Sequence, residues 1–112
     1  MAISRDDVRH IALLARNYRC PLGEVDLIAL DGRTIVFVEV KTRRAADGGS
    51  PFDAVDPHKQ RQIARAAEHY LDAERLHERD VRFDVIGVMP SAGGLACELV
   101  QDAFAVDEPE GW

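Results

Sequence analysis

Cysteine is scarce in this chain, and what there is does not cluster. Cys20 and Cys97 are the two among 112 residues. There is no Cys-x-x-Cys and no cysteine–histidine group at zinc spacing, so a zinc ribbon or finger is excluded. The two are read as reduced thiols, with a disulfide between them left open. No apolar run approaches membrane-spanning length, and the start, Met1 to Asp7, lacks the layout of a signal peptide. The expectation is a cytoplasmic protein with no membrane partner. Internal repeats and interior linkers are missing too, and the length fits one domain over residues 1–105 with an acidic tail over 106–112.

Positive charge is also in short supply. The formal net charge is −6, the opposite of the basic footprint expected of a nucleic-acid binder. The total hides an asymmetry: residues 1–65 carry a balance of +2 and residues 66–112 a balance of −8. An acidic protein can still present a positive groove. Arg16, Arg19, Lys41, Arg43, Arg44, Lys59, Arg61 and Arg65 all belong to the first part.

What the chain does have is charge where apolar residues are expected. Gly23 to Leu30 reads as a strand, Asp31-Gly32 as a hairpin turn, and Ile35 to Lys41 as the returning strand. Strand side chains alternate faces. Glu24, Asp26, Ile28 and Leu30 therefore share one face, and Ile35, Phe37, Glu39 and Lys41 share one on the partner. A two-residue loop pairs Leu30 with Arg33 and Glu24 with Glu39. A four-residue loop pairs Leu30 with Ile35 and Asp26 with Glu39. Either register gathers the four charges on one side, because directly opposed residues of a hairpin point the same way; a three-residue loop would split them. The other side is Val25, Leu27 and Ala29 against Val36, Val38 and Val40, so both faces carry apolar residues, as in a sheet covered on two sides.

Carboxylates in such a place are costly. Two of them about 4 Å apart repel by roughly 4 kcal/mol at an effective dielectric of about 20, and desolvation adds several kcal/mol per ion. Lys41 supplies one compensating charge. Three carboxylates with one ammonium leave room for a hard divalent cation with oxygen ligands. The plainer reading is a Glu39–Lys41 ion pair at a sheet end, with Glu24 and Asp26 in solvent.

Around this hairpin the pattern predicts a helix over residues 5–15, with Ser4 as N-cap and Val8, Ile11, Ala12 and Ala15 at helical spacing. Asn17 to Leu22 reads as an extended lead-in, and residues 42–55 as a loop. Asp56 then caps a helix with Pro57 at its first position, running to about residue 77 on an apolar face of Ile63, Ala67, Tyr70 and Leu71. Residues 82–88 and 97–100 read as two further strands. The order α-β-β-α-β-β implies a mixed sheet with helices packed on it, an α/β fold.

A carboxylate on one strand followed by Glu-x-Lys on the next, here Asp26 and Glu39-Val40-Lys41, resembles the signature of the PD-(D/E)xK nuclease superfamily. The longer string Ala15 to Cys20, Gly23 to Ile28 and Phe37 to Arg43 resembles the bacterial YraN-type family of small restriction-endonuclease-like proteins. Ser50-Pro51, Lys59-Gln60-Arg61, Ala67, Tyr70-Leu71 and Arg82 to Val85 extend the likeness. One departure concerns the N-terminal helix, which is longer in that family and carries a Gly-Glu pair; here Ile3 to Leu14 stands in its place. The resemblance implies a restriction-endonuclease-like three-layer α/β/α fold and metal-dependent cleavage of DNA, structured or branched. On that reading Asp26 and Glu39 hold Mg²⁺ or Mn²⁺, with the Val40 carbonyl as a further ligand. Lys41 orients the attacking water or stabilises the oxyanion, and Glu24 is a further ligand or a partner of Lys41. Arg43, Arg44, Lys59, Gln60 and Arg61 are the candidates for nucleic-acid contact. A homodimer is compatible with it. The alternative is a non-catalytic nucleic-acid-binding or adaptor module on the same fold. Asp84 on the third strand is read as a hydrogen-bonding partner of a loop, and the four histidines as surface residues.

Overall fold

The β-branched runs on either side of Asp31-Gly32 do form a hairpin, and the rest of the sheet grows outward from it. The computed structural model describes residues 11–42 and 55–105. Its elements are β1 (Ile11–Cys20), β2 (Gly23–Asp31), β3 (Thr34–Thr42), α1 (Pro57–Glu74), β4 (Asp80–Ser91) and β5 (Gly94–Val100). The strands form one sheet in the order β1-β2-β3-β4-β5. Pairing is antiparallel except between β3 and β4, which run parallel. A parallel pair requires a crossover, and α1 lies between β3 and β4 in the chain.

The β2–β3 register is the one that pairs Leu30 with Ile35, and Asp31 faces Thr34. The turn itself is Gly32-Arg33, one residue later than the Asp31-Gly32 signal suggests. Gly32 sits at φ 62°, a left-handed backbone that glycine adopts without strain.

α1 starts where its cap predicts. Asp56 is extended, and its side chain accepts the Lys59 N–H. Ile63, Ala64, Ala66, Ala67, Tyr70 and Leu71 are buried along one stripe. All of these but Ala64 pack on Val25, Ile28, Ile35, Phe37 and Val85 from the sheet, with Phe104 closing the cluster. The helix lies close: a Cβ on Gly23 would stand 2.0 Å from the Gln62 carbonyl oxygen. It ends at Glu74 rather than near residue 77. Arg75 adopts a left-handed cap at φ 58°, and Leu76 donates its N–H to the Leu71 carbonyl at 2.8 Å, the six-to-one bond of a helix stop.

Residues 11–15 are strand, not helix. β1 pairs with β2 from Ile11–Asp31 to Cys20–Gly23, with one irregularity between Leu13 and Ala15. Pairing along a whole strand outweighs the weak helical preference of Ala-Leu-Leu-Ala. Residues 5–10 of the predicted helix lie outside the described residues, as do most of the 42–55 loop and the 106–112 tail. Among the described residues α1 is the one helix, and the exact α/β/α layering is not reproduced.

One side-chain assignment also changes. Val25 is 1% exposed and belongs to the core under α1 together with Ile28, so strict alternation fails between them. Asn17, at φ 51°, stands between the Arg16–Leu27 and Tyr18–Val25 pairs. The left-handed residue turns the ribbon and brings Tyr18 and Val25 round to the helix side. The far side carries Leu27, Ala29, Val36, Val38 and Ile86 around a cavity of about 250 Å³.

β4 and β5 extend further than their apolar cores suggested. Pro90 is inside β4, beyond Val88, where the β3 pairing has ended and, among the described residues, β4 has a strand neighbour on one side only, a setting that tolerates proline. After β5 the chain turns at Asp102 (φ 53°) and the Ala103 N–H donates to the Phe83 carbonyl at 2.7 Å. This stacks Phe104 on Phe83, which stacks in turn on Phe37.

Candidate acid–lysine site

Glu39 stands near the C-terminal end of β3 and is 3% exposed. On the sheet it pairs with Val85 of β4. The β2–β3 ladder runs as far as Leu27–Val38. Past that point Asp26 intervenes with its side chain: the Val40 N–H donates to Asp26 Oδ2 at 2.7 Å. A carboxylate thus takes a hydrogen bond that a strand backbone would otherwise supply, which holds Asp26 next to Glu39.

Lys41 Nζ lies 3.6 Å from Glu39 Oε2. Lys59 Nζ, from the first turn of α1, lies 3.5 Å from the same oxygen and 3.6 Å from Glu24 Oε1. Arg19 Nε reaches Glu24 Oε2 at 3.4 Å. The four charges singled out in the hairpin therefore do assemble at one end of the sheet. Glu24 joins through Lys59 and not through direct contact with the other acids.

Burial pushes the Glu39 carboxyl up to about 7. A hydrogen bond with Asp26 and that group's negative charge act in the same direction, while Lys59 and then Lys41 pull the other way without cancelling them. At neutral pH Glu39 is poised between acid and carboxylate. That is the electrostatic signature of a place where more positive charge would be welcome.

Among the described residues no three His, Cys, Asp or Glu side chains are grouped to hold a metal ion. Asp26 and Glu39 are two, and a magnesium-like cation bound through one or two carboxylates keeps waters or takes substrate oxygens for the rest. The donor set, two carboxylates and a strand carbonyl at Val40, fits such an ion. Glu24 is half-exposed and engaged by two cations.

The candidates for nucleic-acid contact separate. Lys59 turns inward to the acids. Gln60 Nε2 donates to the Val55 carbonyl at 3.0 Å, which ties down the entry to α1 rather than reaching the sheet end. Arg61 is exposed on the outer face of α1. Arg43 and Arg44 lie outside the described residues. Cys20 and Cys97 are free thiols. His58, His69 and His77 are exposed, and His10 is outside the described residues.

Sequence reasoning offered Lys59 as a nucleic-acid contact and not as a partner of the acids, and a topological signal could have pointed to that pairing. A helix that crosses between parallel strands begins at the C-terminal end of the first one, where Glu39 and Lys41 lie. The Arg82 cluster was also missed. Arg82 pairs with Asp84 at 2.9 and 3.1 Å and with Asp31 at 3.0 Å. The Asp102 N–H donates to Asp84 Oδ1 at 2.8 Å. This is the loop bond expected of Asp84, made on the face opposite Glu39.

Fold and site together define an α/β domain built on a mixed five-stranded sheet, with an acid–lysine cluster at one sheet end. The chain belongs to the family described as "Uncharacterised protein family UPF0102", the YraN family, whose model matches residues 7–88. A UPF0102 protein of Geotalea daltonii is 48% identical over 96 residues, covering 85% of this chain and 76% of its own. One of Syntrophus aciditrophicus is 49% identical over 92 residues, covering 82% and 72%. One of Chlorobium phaeobacteroides is 53% identical over 77 residues, covering 69% and 61%. No helix among the described residues is long and apolar enough to cross a membrane.

Proposed function

We propose that this protein is a metal-dependent nuclease acting on DNA, with a restriction-endonuclease-like fold and a cytoplasmic location. The observation that carries the reading is the meeting of Asp26, Glu39 and Lys41 at one sheet end, with Glu39 buried and its carboxyl raised to about 7. Asp26 and Glu39 hold the cation, Mg²⁺ or Mn²⁺, with the Val40 carbonyl beside them. When bound, the cation supplies Lewis-acid neutralisation of phosphate charge and an acidified water. Asp26 is steadied for this by the Val40 N–H. Lys41, a third exposed, presents its ammonium beside Glu39. From there it orients a water for in-line attack or meets negative charge developing on the phosphate.

The test is in two parts. A thermal melt with and without Mn²⁺, on wild type and Glu39→Gln, asks for a metal site without needing the right substrate. The expected result is a rise in Tm for wild type and none for the variant. Cleavage of duplex, single-stranded and junction DNA then asks for chemistry, and is expected to fall by at least about a hundredfold in Asp26→Asn, Glu39→Gln and Lys41→Ala. Clean wild type with no metal response and no cleavage of any of the three would falsify the reading.

A non-catalytic DNA-binding module is the second reading, favoured by one observation: two ammonium groups already flank Glu39. It requires salt-sensitive DNA binding that survives all three substitutions.

A further inference from the structure

Lys59 is the least expected member of the cluster. Its backbone is fixed, because its N–H donates to Asp56 Oδ1 at 2.8 Å and Asp56 caps α1. Its side chain is 24% exposed and ends between acids on two different strands, Glu24 of β2 and Glu39 of β3. Among the described residues Lys41 pairs with Glu39 alone. The two lysines are therefore not equivalent. Lys41 reaches the acids along its own strand, whereas Lys59 reaches them from the helix on a four-carbon stem and divides its charge between them.

A divalent cation seated on Asp26 and Glu39 would share Glu39 Oε2 or its neighbour with an ammonium 3.5 Å away. Two positive charges beside one carboxylate oxygen repel, which favours the retreat of one of them. Lys41 is carried by the strand that carries Glu39. Both side chains can change rotamer, but Lys59 already touches a second acid, Glu24, towards which it can withdraw while the capped turn beneath it stays in place.

Resting on the cation-binding reading above, we propose that Lys59 is the resident counter-ion of this site, a positioning residue that a divalent cation must displace from Glu39. It keeps the two strands' carboxylates together in the metal-free protein and holds metal affinity down until it moves. Glu24 gives the displaced ammonium a place to stay, since that contact is already made.

Calorimetric titration of Mn²⁺ into wild type, Lys59→Met and Lys59→Arg near neutral pH tests this, with melts in EDTA to verify folding. Lys59→Met is expected to bind Mn²⁺ about tenfold more tightly, and Lys59→Arg, which keeps the charge, to resemble wild type. A residue that only braced the fold would lower Tm in EDTA without tightening metal binding. Equal or weaker Mn²⁺ binding in Lys59→Met overturns the proposal and leaves the metal site standing. Heat from Lys59→Met but not from wild type supports it, as the blocked site is then opened. No heat from either protein sinks the proposal and the metal reading together. Should Lys59→Met fail to fold, Lys59→Gln keeps a polar end against both acids and is expected to show the same tightening.

Discussion

Two carboxylates in this molecule, Glu39 and Asp84, are each 3% exposed, lie on adjacent strands, and are treated in opposite ways. Asp84 is saturated. Arg82 approaches it with two nitrogens at 2.9 and 3.1 Å, and the Asp102 N–H arrives at 2.8 Å. Glu39 has two ammonium groups, but at 3.5 and 3.6 Å, beyond the 2.7–3.2 Å of an ordinary N–H···O hydrogen bond. Among the described residues its remaining close polar neighbour is another acid, Asp26. A buried carboxylate closed by a bidentate guanidinium and a backbone donor has no capacity left for a ligand. One held loosely by lysines and crowded by Asp26 keeps that capacity. The difference separates a group that builds the fold from a group that can do chemistry.

The comparison breaks most severely at Asp84. Asp84→Ala is expected to cost about 3 kcal/mol, because it takes from Arg82 its closest carboxylate, leaving it Asp31, and leaves the partly buried Asp102 N–H without its acceptor. Urea denaturation measures this, and the loss should be much the same with or without metal. Asp84→Ala melting within a degree or two of wild type would erase the distinction drawn here.

Glu39 is expected to behave in the reverse sense. Its carboxyl stands at about 7 in the folded, metal-free protein against 4.5 unfolded. A raised carboxyl means that the native state binds the extra proton, so the contribution is fully present below about 4.5 and is lost as pH rises through about 7. That shift corresponds to about 3 kcal/mol. Glu39→Gln mimics the protonated form, so in EDTA it should be the more stable protein at pH 8 and close to wild type at pH 4.5. Parallel melts across that range decide the matter, and wild type outlasting the variant at pH 8 would reverse the sign.

A smaller effect is expected at the cap. Asp56→Ala removes the acceptor of the Lys59 N–H and should cost about 1 kcal/mol. If α1 also presents Lys59 to the acids, the same change should alter the response of Tm to Mn²⁺, which no change in the Asp84 region should do.

Legibility followed periodicity. The β2–β3 hairpin and the start of α1 could be read because alternation, a glycine turn and an Asp-Pro cap are local signals, while alternation left the register open between the Leu30–Arg33 pairing and the Leu30–Ile35 pairing that forms. β1 could not, since Ala12 to Ala15 is helical by preference and becomes strand only through its pairing with β2. Val25 was assigned to the wrong face because the cause is Asn17, a non-glycine residue at φ 51° on a different strand. The end of α1 was missed for a related reason: Arg75, not a glycine, takes the left-handed cap. At the site, the acids and Lys41 could be read from alternation within one hairpin. Lys59 depended on where a crossover helix begins, which no short-range pattern records.

The contact between Gly23 and the Gln62 carbonyl reaches further than the core. Gly23 precedes Glu24 by one residue, and Gln62 follows Lys59 by three. Their main chains touch where only a hydrogen atom fits. The width of the gap that Lys59 spans is thereby dictated by bare backbone, not by the long side chains that line it. On the proposed reading, lysine gives way to cation at this end of the sheet while the frame around it keeps its dimensions.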